Sequence, residues 1–362
     1  MRILYIDNIS PIGHVQYNRI NLEALCKIGN VFTAMRKGYF EKIGSSGSNK
    51  LIEIPDSLYM PIEHKWKFLI YRILRRITGY DSETQGTLKY VRDRVEDNWD
   101  AVIISHMEPK SLSKMDPLKN VYAVCHQYNS LINTGVRFVK KNNRIKYTID
   151  VGNRYTIIAL SDSMMKGIKN LKVSNVKMVP HGFLPINENI DSKIFDKLHI
   201  LRDKKLLFIP SYNHKADLNS YFYDSREFDT FLEQNDFYLV IKDKNGKSNN
   251  QNVKVINSWL SESDYQSLFL SSFCVILPYD NNTSYRESGV IMECFANNKL
   301  CLRLDTPSLH VYDQYFNYES YFSDISSLKE RLLSIEDATQ PFYRYLDKIS
   351  NPYHSWYILL NK

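Results

Sequence analysis

The chain has 362 residues, 43% of them hydrophobic and 24% charged, with a formal net charge of +7. This length and composition fit two ordinary globular domains or one large one, and exclude a fibrous or disordered chain. The five Cys are widely spaced and form no C-x-x-C pair, which argues against a structural zinc site and for a reducing compartment.

The charge is uneven. Residues 1–190 carry 28 Lys and Arg against 17 Asp and Glu, and the remainder 19 against 23. A basic first half and a mildly acidic second half read as two domains with different partners. The 13% of aromatic residues, 26 of them Tyr, supply faces that can stack on sugar rings or bases. No apolar run reaches the roughly 20 residues that span a bilayer.

Residues 2–7 read as a first strand, with no cleavable apolar core behind them, so the protein is expected in the cytoplasm. The loop Asn8 to His14 holds Pro11 and Gly13. A helix follows with Ile20, Leu22, Leu25 and Cys26 as its apolar residues, then a strand at Val31–Ala34. Short β-branched runs recur at Ala101–Ser105, Val121–Cys125 and Thr156–Leu160. Strands alternating with helix-length segments imply a parallel sheet covered on both faces. In such a domain the loop after the first strand faces the ligand crevice. Gly13 there lets the chain pass close to a diphosphate or acceptor, and His14 is a candidate general base. His126, directly after the second of these runs, and His106 and Glu108, after the first, hold similar strand-end positions.

The segment from Lys65 to Arg76 mixes basic and apolar residues at helical spacing. Trp66, Leu69, Ile70, Ile73 and Leu74 group together, with Lys65, Arg72, Arg75 and Arg76 around the rest. Such a helix suits an anionic membrane surface. Arg137 to Lys146 is a second basic run. His181, in the Pro180-His181-Gly182 turn, reads as structural, and the polar segment Asn187 to Ser192 is the best linker.

A second alternating series runs through Lys205–Ile209, Phe237–Ile241, Val253–Ile256, Cys274–Leu277 and Leu300–Leu302. Lys242 to Asn252, rich in Lys, Asn and Ser, reads as an exposed loop. The most informative stretch lies between the last two strands: a polar loop over 279–284, then Tyr285-Arg-Glu-Ser-Gly-Val-Ile-Met-Glu-Cys-Phe-Ala296. It opens a helix whose first amides and positive dipole end suit an anion. Ser288, Gly289 and Val290 sit at that start. Glu293, one turn in, is placed to accept from ribose hydroxyls of a nucleotide. Arg286 adjoins this anion-binding start.

These residues resemble the nucleotide-sugar-binding domain of GT-B glycosyltransferases of the family-4-like (glycosyl transferases group 1) type. The matching runs are Asn252–Ile256, Leu260–Tyr265 with its acidic-aromatic pair, Ser271–Pro278 and Ser288–Ala296. Ala159–Ser163 and the interdomain turn Val179–Phe183 are similar in the first half. The resemblance implies an α/β chain of two Rossmann-like doubly wound domains facing a cleft. The expected boundaries are 1–184 for an acceptor-binding domain, 185–340 for a nucleotide-sugar-binding domain, and 341–362 for a tail packing back on the first. It also places His126 near the donor sugar, which with His14 makes the catalytic pair, and it implies cations for the leaving diphosphate, for which Lys215, then Lys242, then Arg286 are the candidates. The family's paired Glu, with seven residues between them, would put the first on Tyr285; Glu287 stands two residues away, which leaves the sugar and the stereochemistry open.

The expected activity is metal-independent and cofactor-free transfer from a nucleotide sugar to a saccharide or polyprenyl-linked acceptor, in bacterial surface polysaccharide or glycan assembly. The expected place is the cytoplasm, peripheral on the inner face of the cell membrane. A nucleotide-sugar 2-epimerase of the same architecture is the rival enzyme. Nucleic acid is not expected as a partner, since the basic residues show no recognisable nucleic-acid motif.

Overall fold

The computed structural model describes residues 1–8, 15–43, 50–59, 65–78, 81–95, 98–116, 118–128, 131, 141–186, 190–201, 203–210, 216–258, 260–279, 288–307 and 309–361. The chain divides into two compact units. The first comprises Met1–Phe183 and Asp347–Lys362; the second takes the described residues from Leu184 to Leu346.

The first unit is built on a seven-stranded parallel sheet of β1 (Arg2–Ile6), β2 (Asn30–Arg36), β3 (Lys50–Ile54), β4 (Ala101–Ile104), β5 (Val121–Cys125), β6 (Thr156–Ala159) and β7 (Val176–Met178). The order is β3-β2-β1-β4-β5-β6-β7. Successive residues point to opposite faces, so each central strand feeds two cores. Leu4, Ile6, Val102, Ile104, Ala123 and Ile157 pack on one side. Ile3, Tyr5, Ala101, Ile103, Val124 and Ile158 pack on the other. Burial on both faces is why these strands read as unbroken apolar runs. The edge strand β3 instead alternates, with Leu51 and Glu53 out and Ile52 and Ile54 in.

Asp347–Lys362 belongs with this unit because of Trp356. Its indole is fully buried in the second of those cores, and its Nε1 donates to Asn21 Oδ1 at 2.8 Å. The sequence places the tail from residue 341. In the structure 341–346 stay with the second unit: Tyr343 packs edge-on against Phe295 and Phe316, and the Phe342 amide donates to Asn298 Oδ1 at 3.1 Å. The Pro-His-Gly turn is pinned to the first unit. Gly182 has φ +73°, and a Cβ there would lie 2.7 Å from Ile20 Cγ2 and 2.9 Å from Pro352 Cδ, so only glycine fits.

The second unit has a six-stranded parallel sheet of β8 (Lys205–Ile209), β9 (Phe237–Lys242), β10 (Val253–Ile256), β11 (Cys274–Leu277), β12 (Leu300–Leu304) and β13 (Tyr321–Phe322). Its order is β10-β9-β8-β11-β12-β13. The Lys- and Asn-rich segment after β9, expected as an exposed loop, is tied down: Asn250 Nδ2 donates to the Phe222 carbonyl and Asn252 Nδ2 to Asp229. All five Cys are unpaired thiols, four of them buried. Among the described residues no helix is long and apolar enough to cross a membrane.

Candidate functional site

In the second unit the strand order reverses between β8 and β11. Ligands in open parallel sheets bind beyond the carboxyl ends of the strands at such a reversal. The chain leaving β11 enters the helix Gly289–Ala296, whose N-cap is Ser288. The Ser288 hydroxyl accepts from the Ile291 amide at 3.3 Å. Its own amide donates to the hydroxyl of Tyr312, at 2.8 Å. Nothing in the sequence pattern marks Tyr312, which arrives from the buried side of a short 3-10 turn, His310–Tyr315. With the Ser288 amide engaged in this way, the first-turn amides of Gly289 and Val290 are the ones that end outside the helix ladder. Gly289 is exposed, and a Cβ built on it meets nothing within 4 Å, so the helix start opens onto free space.

Glu293 lies one turn further along, half-buried. Its Oε2 accepts from the Tyr265 hydroxyl at 2.5 Å. Tyr265 stands on the helix Glu262–Ser271, which starts at the Ser261 N-cap, whose hydroxyl accepts from the Asp264 amide at 3.0 Å. The ring lies against Phe208 and Phe269. Burial pushes the Glu293 carboxyl up from its usual 4.5 to about 7; the Tyr265 hydrogen bond opposes this and the negative Glu262 adds to it. The Tyr265 hydroxyl is itself held well above its usual range, first by burial and then by Glu293.

The sign of the consequence follows from proton counting. Below pH 4.5 the folded and unfolded chains both hold this proton. Between there and about 7 the folded chain holds more, so this contribution to stability is lost as pH rises through about 7. Urea midpoints of the wild type should therefore fall more between pH 5 and pH 8 than those of Glu293→Gln. Tyr265→Phe removes the opposing hydrogen bond and should move the midpoint of that loss to higher pH.

Lys242 closes β9, and burial lowers its ammonium from the usual value. Lys299 is committed elsewhere: its Nζ donates to the carbonyls of Leu270 and Ser272, each at 2.7 Å, capping the C-terminal end of the Tyr265 helix. Lys215, Arg286 and Glu287 lie outside the described residues, as do Gly13 and His14.

In the first unit the reversal falls between β1 and β4. Asp7, just after β1, is buried, with its carboxylate accepting from Asn18 Nδ2 and Ser105 Oγ, both at 2.9 Å. Asn8 holds the backbone of His106 by two bonds of 3.0 Å, donating to its carbonyl and accepting from its amide. These ties fix the ends of β1 and β4 to each other. His126, after β5, approaches the Ser105 carbonyl at 2.8 Å through Nε2. A carbonyl only accepts, so Nε2 carries the proton and Nδ1 is the basic nitrogen of the neutral ring. His106 stacks on His126 at 6.0 Å. Tyr17 sets its ring against His126 at 4.7 Å and against His181 at 5.1 Å. The structure thus sets His126 and His181 against Tyr17, with His106 reaching the group through His126. Glu108 is not among them: it caps the helix Pro109–Ser113 through the Ser111 amide at 2.7 Å and pairs with Arg144 at 2.8 Å.

No family model and no curated protein matches the sequence. Solved structures do. An α,α-trehalose-phosphate synthase (UDP-forming) from Burkholderia xenovorans, in complex with glucose-6-phosphate, is similar over 100% of both chains, with TM-score 0.59 and 10% identity. HepE from Anabaena, in complex with UDP-glucose, is similar over 100% of this chain and 97% of its own, with TM-score 0.54 and 12% identity. Sucrose-phosphate synthase from Thermosynechococcus elongatus is similar over 100% and 94%, with TM-score 0.54 and 12% identity. These neighbours have the GT-B fold, and at these identities the likeness establishes for this chain the same two-Rossmann fold.

Proposed function

We propose that the protein is a nucleotide-sugar-dependent glycosyltransferase. The diphosphate of the donor rests on the amides of Gly289 and Val290, and the ribose hydroxyls donate to Glu293. Lys242, and Lys215 and Arg286 beyond the described residues, are the cations for the leaving diphosphate. The acceptor is a saccharide, free or lipid-linked, taken by the basic first unit in the assembly of surface polysaccharide or another glycan at the inner face of a membrane. In the transfer, an acceptor hydroxyl bonds to the anomeric carbon as the bond from that carbon to the diphosphate oxygen breaks. The hydroxyl proton passes to a base, for which His126 Nδ1 and His14 are the candidates, and the diphosphate leaves with the bond electrons. Neither a metal nor a cofactor is part of this scheme.

One observation carries the reading: an open helix start at the strand-order reversal, with a carboxyl one turn behind it that ionises near neutrality. The fold shared with enzymes solved with UDP-glucose and glucose-6-phosphate supports it.

A thermal denaturation screen of nucleoside diphosphates tests it. A cognate nucleotide at a hundred times its Kd stabilises by about 2.7 kcal/mol. One base should raise the midpoint clearly above the others, and no response to any of them sinks the proposal. Incubation of the corresponding nucleotide sugar without acceptor then separates the rival enzyme, since an epimerised sugar nucleotide formed from donor alone is a 2-epimerase product. Affinity should also rise between pH 6 and pH 8 as Glu293 ionises, because an anionic oxygen accepts more strongly than a neutral one.

A further inference from the structure

The 14-residue helix Lys65–Thr78, in the first unit, turns its apolar face outward. Trp66, Leu69, Ile70, Ile73 and Leu74, spaced three and four apart, share that face. They are 78, 45, 54, 47 and 54% exposed. The helix attaches through its other side. Phe68 and Tyr71 are half-buried, and the Tyr71 hydroxyl donates to Asp81 Oδ1 at 3.0 Å. A surface helix ordinarily buries its apolar stripe against the core; here the stripe faces away from it. The helix also contains five basic residues, Lys65, Lys67, Arg72, Arg75 and Arg76, and no acidic one. Lys67 and Arg72 are exposed.

We propose that this face docks on an anionic lipid surface, with the helix lying in the headgroup plane. The five apolar side chains enter the acyl boundary, and the Lys and Arg meet the lipid phosphates. Charge complementarity selects this occupant. A second copy would bring up a second helix with five basic residues and no acidic one, whereas an anionic leaflet attracts each basic residue by about 1 kcal/mol. Trp66 belongs to the side-chain type that settles at the membrane interface. At 14 residues the helix is too short to span a bilayer, which needs about 20. The lipid-linked acceptor of the preceding section gives this surface its purpose, and to that extent the inference rests on that reading; the binding itself does not.

Vesicle flotation with the full chain tests it, using phosphatidylcholine vesicles with and without phosphatidylglycerol. The wild type should float with the anionic vesicles, lose most of that binding in high salt, and stay behind with pure phosphatidylcholine. Ile70→Glu with Leu74→Glu, both at exposed positions, should lower the partition at least tenfold and leave nucleoside-diphosphate affinity as it was. Trp66 fluorescence should shift to the blue on binding in the wild type. Failure of the wild type to bind anionic vesicles overturns the inference, as does unchanged binding by the double variant. A wild-type dimer in size-exclusion chromatography that Ile70→Glu dissociates, together with absent vesicle binding, would assign the face to a second copy instead. The vesicle and dimer outcomes do not depend on the donor, so this inference and the glycosyltransferase proposal fail separately.

Discussion

Glu293→Ala should weaken nucleoside-diphosphate binding by roughly a hundredfold or more in a calorimetric titration. Hydrogen bonds to a charged group contribute about 1.5–3 kcal/mol each, and a ribose presents two hydroxyls to this carboxylate in the proposed complex. Every 1.4 kcal/mol is about a tenfold change in affinity. The alanine also deprives the buried Tyr265 hydroxyl of its acceptor, which costs stability by about 1–3 kcal/mol. Glu293→Gln separates the two effects, since the amide oxygen still accepts from Tyr265 while the negative charge is gone. The glutamine variant should keep its thermal midpoint near pH 5, bind more weakly than the wild type, and lose the rise in affinity between pH 6 and pH 8. Wild-type affinity in the alanine variant would remove Glu293 from the donor site.

The largest loss of stability should come from Trp356→Ala, in the core of the first unit. The indole is fully buried among the residues that cover one face of the first sheet, next to Tyr122. Removing a large buried aromatic side chain costs about 3–5 kcal/mol. The same change leaves Asn21 Oδ1 without the indole donor. Trp356→Phe keeps a six-membered ring but gives up part of the indole volume along with the N–H bond, so its cost should be smaller, about 2–3 kcal/mol. Denaturant titration followed by circular dichroism measures both. A phenylalanine variant as weak as the alanine one would shift the weight from packing to the hydrogen bond. An alanine variant with wild-type stability would mean that Asp347–Lys362 contributes nothing to the first unit.

The sheets were legible because their central strands bury both faces. Ile103, Ile158, Val240 and Ile276 sit in unbroken apolar runs that no exposed strand would carry. The edge strand β3 was not legible, because its alternation of Leu51, Ile52, Glu53 and Ile54 is short and enters only one core. Ser288 was legible as a residue of the helix start, from its place before an apolar helix; that its side chain caps the helix is a finding of the structure. The Tyr312 hydroxyl that takes the Ser288 amide comes from 24 residues further along and from a short turn without periodicity, so no local pattern points to it. Tyr265 was visible only as half of an acidic-aromatic pair, and its bond to Glu293 spans 28 residues. Likewise His106 and His126 could be read as strand-end residues, but their stacking on each other, and the contact of His126 with Tyr17, depend on the lateral order of the strands. The amphipathic pattern of Lys65–Thr78 could be read too, but which of its faces meets the core is decided by Tyr71 and Asp81.

The first unit draws its core from two segments of chain separated by the whole of the second. On the ribosome, β1 through β7 therefore emerge without the indole that closes their sheet face, and that face waits until more than 160 further residues, from Leu184 to Leu346, have been made. During that interval the nascent chain displays an uncovered apolar patch. A ribosome that stops at residue 346 would release a product whose second unit is complete and whose first unit is a target for chaperones and proteases.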